Sequence, residues 1–132
     1  MKREEQVLLY QFRDEKKLSE IRQILKKLRV KSRVLPEEAH GEKIGFLLGM
    51  KGFRETKSKD EDFTFPHEVM IFQNIRGKRL DEVLDGLKDA GIPPVKFKAV
   101  VTPFNTLWTL QRLCETMQRE HGAVSSVQGN EE

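Results

Sequence analysis

Two short apolar segments of this chain resemble each other. Residues 7–12 read VLLYQF, and residues 69–74 read VMIFQN. The segments that follow, KKLSEIRQIL and KRLDEVLDGL, align at the same offset of 62 positions. Near-continuous apolar runs are typical of strands buried on both faces, and the following segments have the apolar spacing of amphipathic helices. The sequence therefore predicts a β-α-β-α unit that occurs twice, in half-repeats 5–49 and 67–122.

Capping and stop signals place the remaining elements. Asp14 is available to cap the first helix, and Gly91 stands where a helix is expected to end. Residues 30–35 and 95–101 form two more strand candidates, both of which carry charges. Residues 37–49 are interpreted as a short helix.

The pattern predicts an α/β fold with a four-stranded sheet. Strands 1 and 3 should be central because they are apolar on both faces. Strands 2 and 4 should be edges, since charge on an edge discourages unwanted pairing. The halves could meet in parallel, as a small doubly wound sheet, or antiparallel, as a pseudo-two-fold mixed sheet. A ferredoxin-like α+β sandwich is the competing fold.

The domain prediction is one α/β domain over residues 1–122. Residues 50–66 are charged, mixed in sign and without periodicity, which predicts a mobile loop. Residues 123–132 offer little to pack and are predicted to be a disordered tail.

Composition narrows the classes of function. The chain has 132 residues, 34% of them charged, and a net charge of only +3, which is weak for a nucleic-acid-binding domain. A single cysteine, Cys114, excludes an intramolecular disulfide and predicts a cytoplasmic location. The first residues do not have the pattern of a signal peptide, and no apolar stretch approaches the ~20 residues of a membrane span. No membrane association is predicted.

The sequence offers few candidate catalytic or metal-binding residues. His40, His67 and His121 are scattered, and none stands at metal-ligand spacing to another ligand type. Residues 40–49 and 74–80 contain glycines but neither a phosphate loop nor a dinucleotide fingerprint. No catalytic residue, metal or cofactor is predicted. The favoured function is a non-enzymatic interaction or regulatory module with a protein partner.

Two basic turns support an alternative function. Each follows an apolar strand and precedes a helix, where exposed N–H groups and cations together can hold an anion. A small anion or nucleotide is the predicted ligand. The candidate residues are Arg13, Lys16 and Lys17 in the first turn and Arg76, Lys78 and Arg79 in the second.

A basic patch without acids supports a further alternative. It spans the end of the first helix and the second strand, and it comprises Lys26, Lys27, Arg29, Lys31 and Arg33. Cations near a helix C-terminus are favourable on structural grounds alone. Contact with RNA is the functional interpretation, although the patch lacks the aromatic residues that stack on bases.

The stretch KAVVTPFNTLWTL, residues 98–110, predicts a strand-to-helix junction. Thr102 could cap a helix beginning at Pro103, or Asn105 could cap one beginning at Thr106. Trp108 is expected to pack on the sheet. The functional interpretation is a pocket surrounded by Lys98, Thr102, Asn105 and Trp108.

The second half also resembles a known family. The segments VMIFQNI, LDEVLDGLKDAG, KAVVTPFNTLW and QREH, within residues 69–121, are similar to an uncharacterised bacterial domain-of-unknown-function family with a K-A-[VI]-[VL]-T-x-x-N-x-x-W motif. The resemblance implies a small cytoplasmic α/β domain and implies no reaction. The first half would be a degenerate copy, because it has no Asn or Trp at the corresponding places.

Overall fold

The computed structural model describes the backbone of residues 4–56 and 62–131 and the side chains as far as residue 121. The chain divides into two compact units, each built from two chain segments. Met1–Glu37 and Pro66–Thr102 form the first unit, and Glu38–Phe65 and Pro103–Glu132 form the second. Part of the predicted mobile loop, residues 57–61, lies outside the described residues.

The first unit contains two β-α-β segments. The first segment has strand β1 (Gln6–Tyr10), helix α1 (Glu15–Lys27) and strand β2 (Lys31–Val34). The second segment follows helix α2 (Ile44–Leu47), which belongs to the second unit, and has strand β3 (Val69–Gln73), helix α3 (Gly77–Asp89) and strand β4 (Phe97–Val100). Both long helices have 13 residues.

The four strands form one mixed sheet in the order β2-β1-β3-β4. β1 pairs in parallel with β2, and β3 pairs in parallel with β4. The central strands β1 and β3 are antiparallel, with Leu8 opposite Ile71. The predicted α/β class and the central positions of strands 1 and 3 are confirmed, and the question left open by the sequence is answered in favour of the antiparallel arrangement. The ferredoxin-like alternative is wrong, because there the parallel strands of each β-α-β unit are separated by another strand.

Local signals account for the helix ends in this unit. The Asp14 carboxylate accepts a hydrogen bond from the Lys17 backbone N–H at 3.1 Å, so the predicted cap of α1 is confirmed. Gly91 has φ 78°, two residues beyond the end of α3. A left-handed residue at this position is how helices commonly end, and glycine adopts it without a Cβ clash.

The core of the first unit lies between one face of the sheet and the two long helices. Val7 and Leu9 on β1 and Met70 and Phe72 on β3 share this face, and they form a single cluster with buried residues of α1 and α3. Burying a side chain of this kind fully contributes about 1.5–3 kcal/mol. The alternate residues of the central strands, such as Leu8 and Ile71, are also buried. Burial on both faces explains why the central strands read as continuous apolar runs.

The second unit contains helix α2 and helix α4 (Leu110–Glu131), together with 3₁₀ turns at Glu37–Gly41 and Asn105–Leu107. Reciprocal backbone hydrogen bonds join its two chain segments: Ile44 N–H donates to the Trp108 carbonyl, and Leu110 N–H donates to the Glu42 carbonyl, both at 2.9 Å. A side chain at Gly45 would overlap the ring of Phe53, whose nearest atom lies 2.3 Å from where a Cβ would stand.

Two boundary predictions for this part of the chain differ from the structure. Residues 37–49 form a 3₁₀ turn and the four-residue α2 in place of one helix. Neither Thr102 nor Asn105 caps the last helix, because that helix begins at Leu110 and the Thr109 hydroxyl accepts from the Arg112 N–H at 3.1 Å. The backbone of α4 is helical to Glu131.

Candidate binding site at the β2 edge

β2 is an edge strand with an exposed surface. Lys31, Arg33 and Val34 are exposed, and Ser32 is half-buried. The register with β1 places Ser32 and Val34 on the helix-covered face of the sheet, opposite Val7 and Leu9. Because side chains alternate along a strand, Lys31 and Arg33 lie on the other face.

Among the described strands, the backbone of β2 pairs with β1 alone. Lys31 N–H donates to the Glu5 carbonyl at 3.1 Å, and Leu35 N–H donates to the Leu9 carbonyl at 2.9 Å. Backbone groups alternate in direction along a strand of a parallel ladder, so the N–H and C=O groups of Arg33 also face β1. By the same alternation, the backbone N–H and C=O groups of Ser32 and Val34 face the open edge.

Helix α1 adds cations on the helix-covered side of this edge. Arg22 Nε donates to the Ser32 hydroxyl at 3.1 Å, which holds the guanidinium beside the strand. Lys26 is one helical turn further along α1 and is exposed. Arg22 and Lys26 line a cleft of about 770 Å³ together with residues of β2, and Glu15 is the one acid among its lining residues. Basic side chains therefore border the β2 edge on both faces of the sheet.

Arg29 joins this edge in an unfavourable backbone conformation. Its φ is 63°, and it stands two residues after the end of α1, the position that Gly91 occupies after α3. A left-handed conformation costs a residue with a Cβ roughly 1–2 kcal/mol. Arg29 lines the cleft beside α1, so a basic side chain occupies a place where glycine would be less strained.

A second cleft adjoins the first and shares Arg29 and Lys31 with it. Its volume is about 940 Å³, and Arg76 and Arg79 line it from the beginning of α3. Two carboxylates also line it: Glu4 pairs with Lys31, and Glu5 pairs with Arg79. The charge of the lining residues is therefore +2, less positive than at the first cleft.

Arg79 is held in place by several contacts. Its Nε and Nη2 atoms both donate to Glu5, at 2.9–3.1 Å, and its Nη1 donates to Glu82. Hydrogen bonding to Glu5 raises the pKa of Arg79 above its ordinary value; partial burial opposes the rise, and Glu82 adds to it. A guanidinium engaged in this way organises the turn and has fewer donors left for a ligand.

The two predicted basic turns are not brought together. Because β1 and β3 are antiparallel, the turn after β1 lies at one end of the strands and the turn after β3 lies at the other. In the first turn Lys17 donates to Glu68 at 2.6 Å, while Arg13 and Lys16 are exposed. In the second, Lys78 is exposed, and Arg76 donates to the Val101 carbonyl at 3.3 Å.

The basic patch, by contrast, is assembled by the fold. Lys26, Arg29, Lys31 and Arg33 all line the cleft beside α1, whereas Lys27 is exposed and is not among its lining residues. Sequence reasoning missed Arg22, which lies in helix α1 four residues before Lys26, the first residue of the patch. The signal was available: Arg22 and Lys26 are four residues apart, which places them on one face of a helix.

The four junction residues are divided between the two units. Lys98 and Thr102 belong to the first unit, where the Lys98 ammonium donates to the Val95 carbonyl. Asn105 and Trp108 belong to the second, where the Trp108 N–H donates to the Asn105 carbonyl at 3.1 Å. Trp108 is half-buried, and the guanidinium of Arg112 lies 4.3 Å from its ring centroid, a cation–π contact.

The described residues contain no group of three or more His, Cys, Asp or Glu side chains that could hold a metal ion. His40 is buried in the second unit and stacks on Phe63, with 5.1 Å between ring centroids. Burial raises the pKa of the Cys114 thiol to about 12, so this thiol is protonated and unreactive at neutral pH. Among the described residues, no helix is long and apolar enough to span a membrane.

The comparisons with known proteins concern the second half of the chain. Residues 68–124 match the model of a domain of unknown function, DUF3783. The matched segment includes β3, α3 and β4, which carry the resemblance noted in the sequence. An uncharacterised domain-of-unknown-function family is thereby supported for this part of the chain. No curated protein and no solved structure matches the chain.

Proposed function

We propose that this protein is a non-enzymatic binding module that recognises an acidic, extended segment of a partner protein. The segment adds to the sheet as a fifth strand beside β2. The carrying observation is an exposed edge strand with basic side chains on both faces of the sheet, Lys31 and Arg33 on one and Arg22 and Lys26 on the other.

Strand addition uses the backbone groups that β2 turns outward. An incoming strand pairs with the N–H and C=O groups of Ser32 and Val34, which supplies affinity without regard to sequence. Its side chains alternate between the faces of the sheet. Carboxylates on both faces then meet cations on both faces, and this charge complementarity supplies specificity and speeds association.

The same surface is less suited to RNA or a small anion. Single-stranded RNA is bound through aromatic side chains that stack on its bases, and no Phe, Tyr or Trp in the described part of the chain lines the cleft beside α1. A single small anion would engage only one face of the edge and would leave the outward backbone groups of β2 unused. An extended polypeptide engages both features.

The conformation of Arg29 supports a role for the basic edge. A strained backbone at a functional site is maintained when the side chain is needed there. Arg29 accepts a left-handed conformation where Gly91 avoids the strain in the second β-α-β segment. We interpret this as stability given up to place a cation beside β2.

The proposal includes three further expectations from the sequence, which concern location, evolutionary origin and source. The module is cytoplasmic, which the single cysteine supports. It arose by internal duplication, which the aligned sequences and the equal lengths of α1 and α3 support. Its origin is bacterial, as the motif resemblance implies.

The test uses the full chain and a peptide of about ten residues in which pairs of glutamates alternate with pairs of threonines, so that an extended strand carries carboxylates on both faces. We expect ¹H–¹⁵N shifts and slowed amide exchange at Ser32 and Val34, because these N–H groups would become hydrogen-bonded. Arg33→Glu should weaken binding at least tenfold. Arg13→Glu is the matched control, since Arg13 is an exposed cation in the turn after β1 and does not line either cleft.

Two further probes separate the alternatives. A peptide of the same length and charge, in which two threonines are replaced by proline, cannot pair fully because proline lacks an N–H. Equal binding of this peptide would rule out strand addition. An oligouridylate that binds more tightly than the acidic peptide at the same salt concentration would replace the protein partner with RNA.

A further inference from the structure

The second β-α-β segment contains an apolar cavity on a different part of the first unit. Its volume is about 280 Å³, and its walls come from α1, α3 and the linker before β4. The apolar lining residues include Ile21, Met70, Leu84, Ile92 and Val95. Two lysines, Lys88 and Lys98, are the charged residues among its lining.

The cavity follows from the length of the linker. Only residues 28–30 separate α1 from β2, whereas residues 90–96 separate α3 from β4. The longer linker contains Pro93 and Pro94, which favour an extended backbone. The extended linker spans the distance from α3 to β4 and leaves the space beneath it unfilled.

Lys98 lies on the face of the sheet where an apolar residue is expected. Its register partner is Met70, which is buried in the core cluster. The Lys98 side chain lines the cavity, and its ammonium donates to the Val95 carbonyl at the edge of the linker. Lys88 lines the same cavity from the last turn of α3 and is exposed. Both lysines are exposed, so the apolar cavity has two cations at its rim and no acid among its described lining residues.

We propose that this cavity binds a small amphipathic carboxylate, an aliphatic chain that ends in a carboxyl group. The chain occupies the apolar interior, and the carboxylate pairs with Lys98 and Lys88. At roughly 30 Å³ for each non-hydrogen atom, the volume accommodates about ten such atoms. An eight-carbon acid has that size, and it places one charge-assisted hydrogen bond where the Lys98 ammonium now donates to a neutral carbonyl.

The test is a titration of the full chain with octanoate, followed by ¹H–¹⁵N NMR. We expect saturable shifts confined to residues 84–98 and the facing turn of α1. Octanol, which has nearly the same size and no charge, should bind at least fivefold more weakly. Lys98→Met keeps most of the aliphatic stem and should weaken octanoate binding about tenfold, the value of one hydrogen bond to a charged group.

Lys96→Met is the matched control. Lys96 is two residues away, is exposed, lies over the Phe97 ring and does not line the cavity. Unchanged binding in Lys96→Met with loss in Lys98→Met supports the proposal. The absence of saturable shifts, equal affinity for octanol and octanoate, or unchanged binding in Lys98→Met would each overturn it. The acidic-peptide experiment concerns the β2 edge, so its outcome is independent of this one.

Discussion

The two β-α-β segments of the sheet differ mainly in how each helix connects to its edge strand. Both have a 13-residue helix and a parallel strand pair, and both place a left-handed residue two positions after the helix. The first segment has a short linker, Arg29 at the left-handed position and an exposed basic edge. The second has a long proline-containing linker, Gly91 at that position and an apolar cavity. The same framework thus presents a charged edge on one side and an apolar cavity on the other.

The largest expected difference concerns two leucines at corresponding positions, 62 residues apart. Leu25 is fully buried in α1, whereas Leu87 in α3 borders the open cavity. Leu25→Ala should lower the free energy of unfolding by about 3–5 kcal/mol. Leu87→Ala should lower it by only about 2–3 kcal/mol, because Leu87 already borders an open space and its side chain has fewer contacts to lose. Urea denaturation measures both values. Equal losses would mean that the cavity is closed in solution.

The next prediction concerns the two sides of β2. Arg33→Pro removes an N–H directed toward β1 and leaves a β1 carbonyl unpaired, so we expect a loss of about 1–3 kcal/mol. Val34→Pro removes an N–H directed toward the open edge, where proline is tolerated, and should cost much less. Val34→Pro should nevertheless abolish binding of the acidic peptide. Comparable destabilisation by the two prolines, measured by urea denaturation, would contradict the assigned direction of the backbone.

A smaller effect is expected at the left-handed positions. Arg29→Gly should stabilise the protein by about 1 kcal/mol, because glycine adopts positive φ without strain. Gly91→Ala should destabilise it by a similar amount. Thermal denaturation gives the signs, and the peptide titration should show weaker binding for Arg29→Gly. If Arg29→Gly instead lowered the stability, the contacts of the Arg29 side chain would contribute more to the free energy of unfolding than its left-handed backbone costs.

The smallest effect concerns two ion pairs that connect the helix beginnings to the sheet. Arg79 contacts Glu5 through two nitrogen atoms, whereas Lys17 contacts Glu68 through one. Both pairs are partly exposed, and such pairs contribute about 0–1 kcal/mol. Glu5→Gln should therefore cost somewhat more than Glu68→Gln in urea denaturation, and added salt should reduce both. The reverse order would show that the bidentate geometry does not persist in solution.

Much of the first unit was predictable because its signals are local. The apolar runs in β1 and β3, the Asp14 cap and the Gly91 stop are each contained in a few residues. The second unit was predicted less well. Its 3₁₀ turns and the start of α4 at Leu110 depend on hydrogen bonds between segments that are distant in the chain, such as Leu110 N–H to the Glu42 carbonyl. Thr102 and Asn105 both satisfied the local rules for a cap, and Thr109 is the residue that performs it.

The candidate site shows the same division. The basic patch was visible as a run of cations, but its meaning depended on the strand order, which makes β2 an edge. Arg22 was overlooked because it joins the patch only across the α1–β2 packing. The two basic turns lie at opposite ends of the central strands, because β3 runs antiparallel to β1, and the apolar pattern does not encode this direction.

By itself the sequence determined the elements of the first unit and the central strands, because hydrophobic periodicity and capping residues are properties of short segments. Only the tertiary structure decided that β1 and β3 run antiparallel, that the basic residues border both faces of the β2 edge, and that a cavity lies beside β4. These features depend on which segments meet in space. The free energy of such contacts depends on residues that are distant in the sequence, so it cannot be predicted from any single segment.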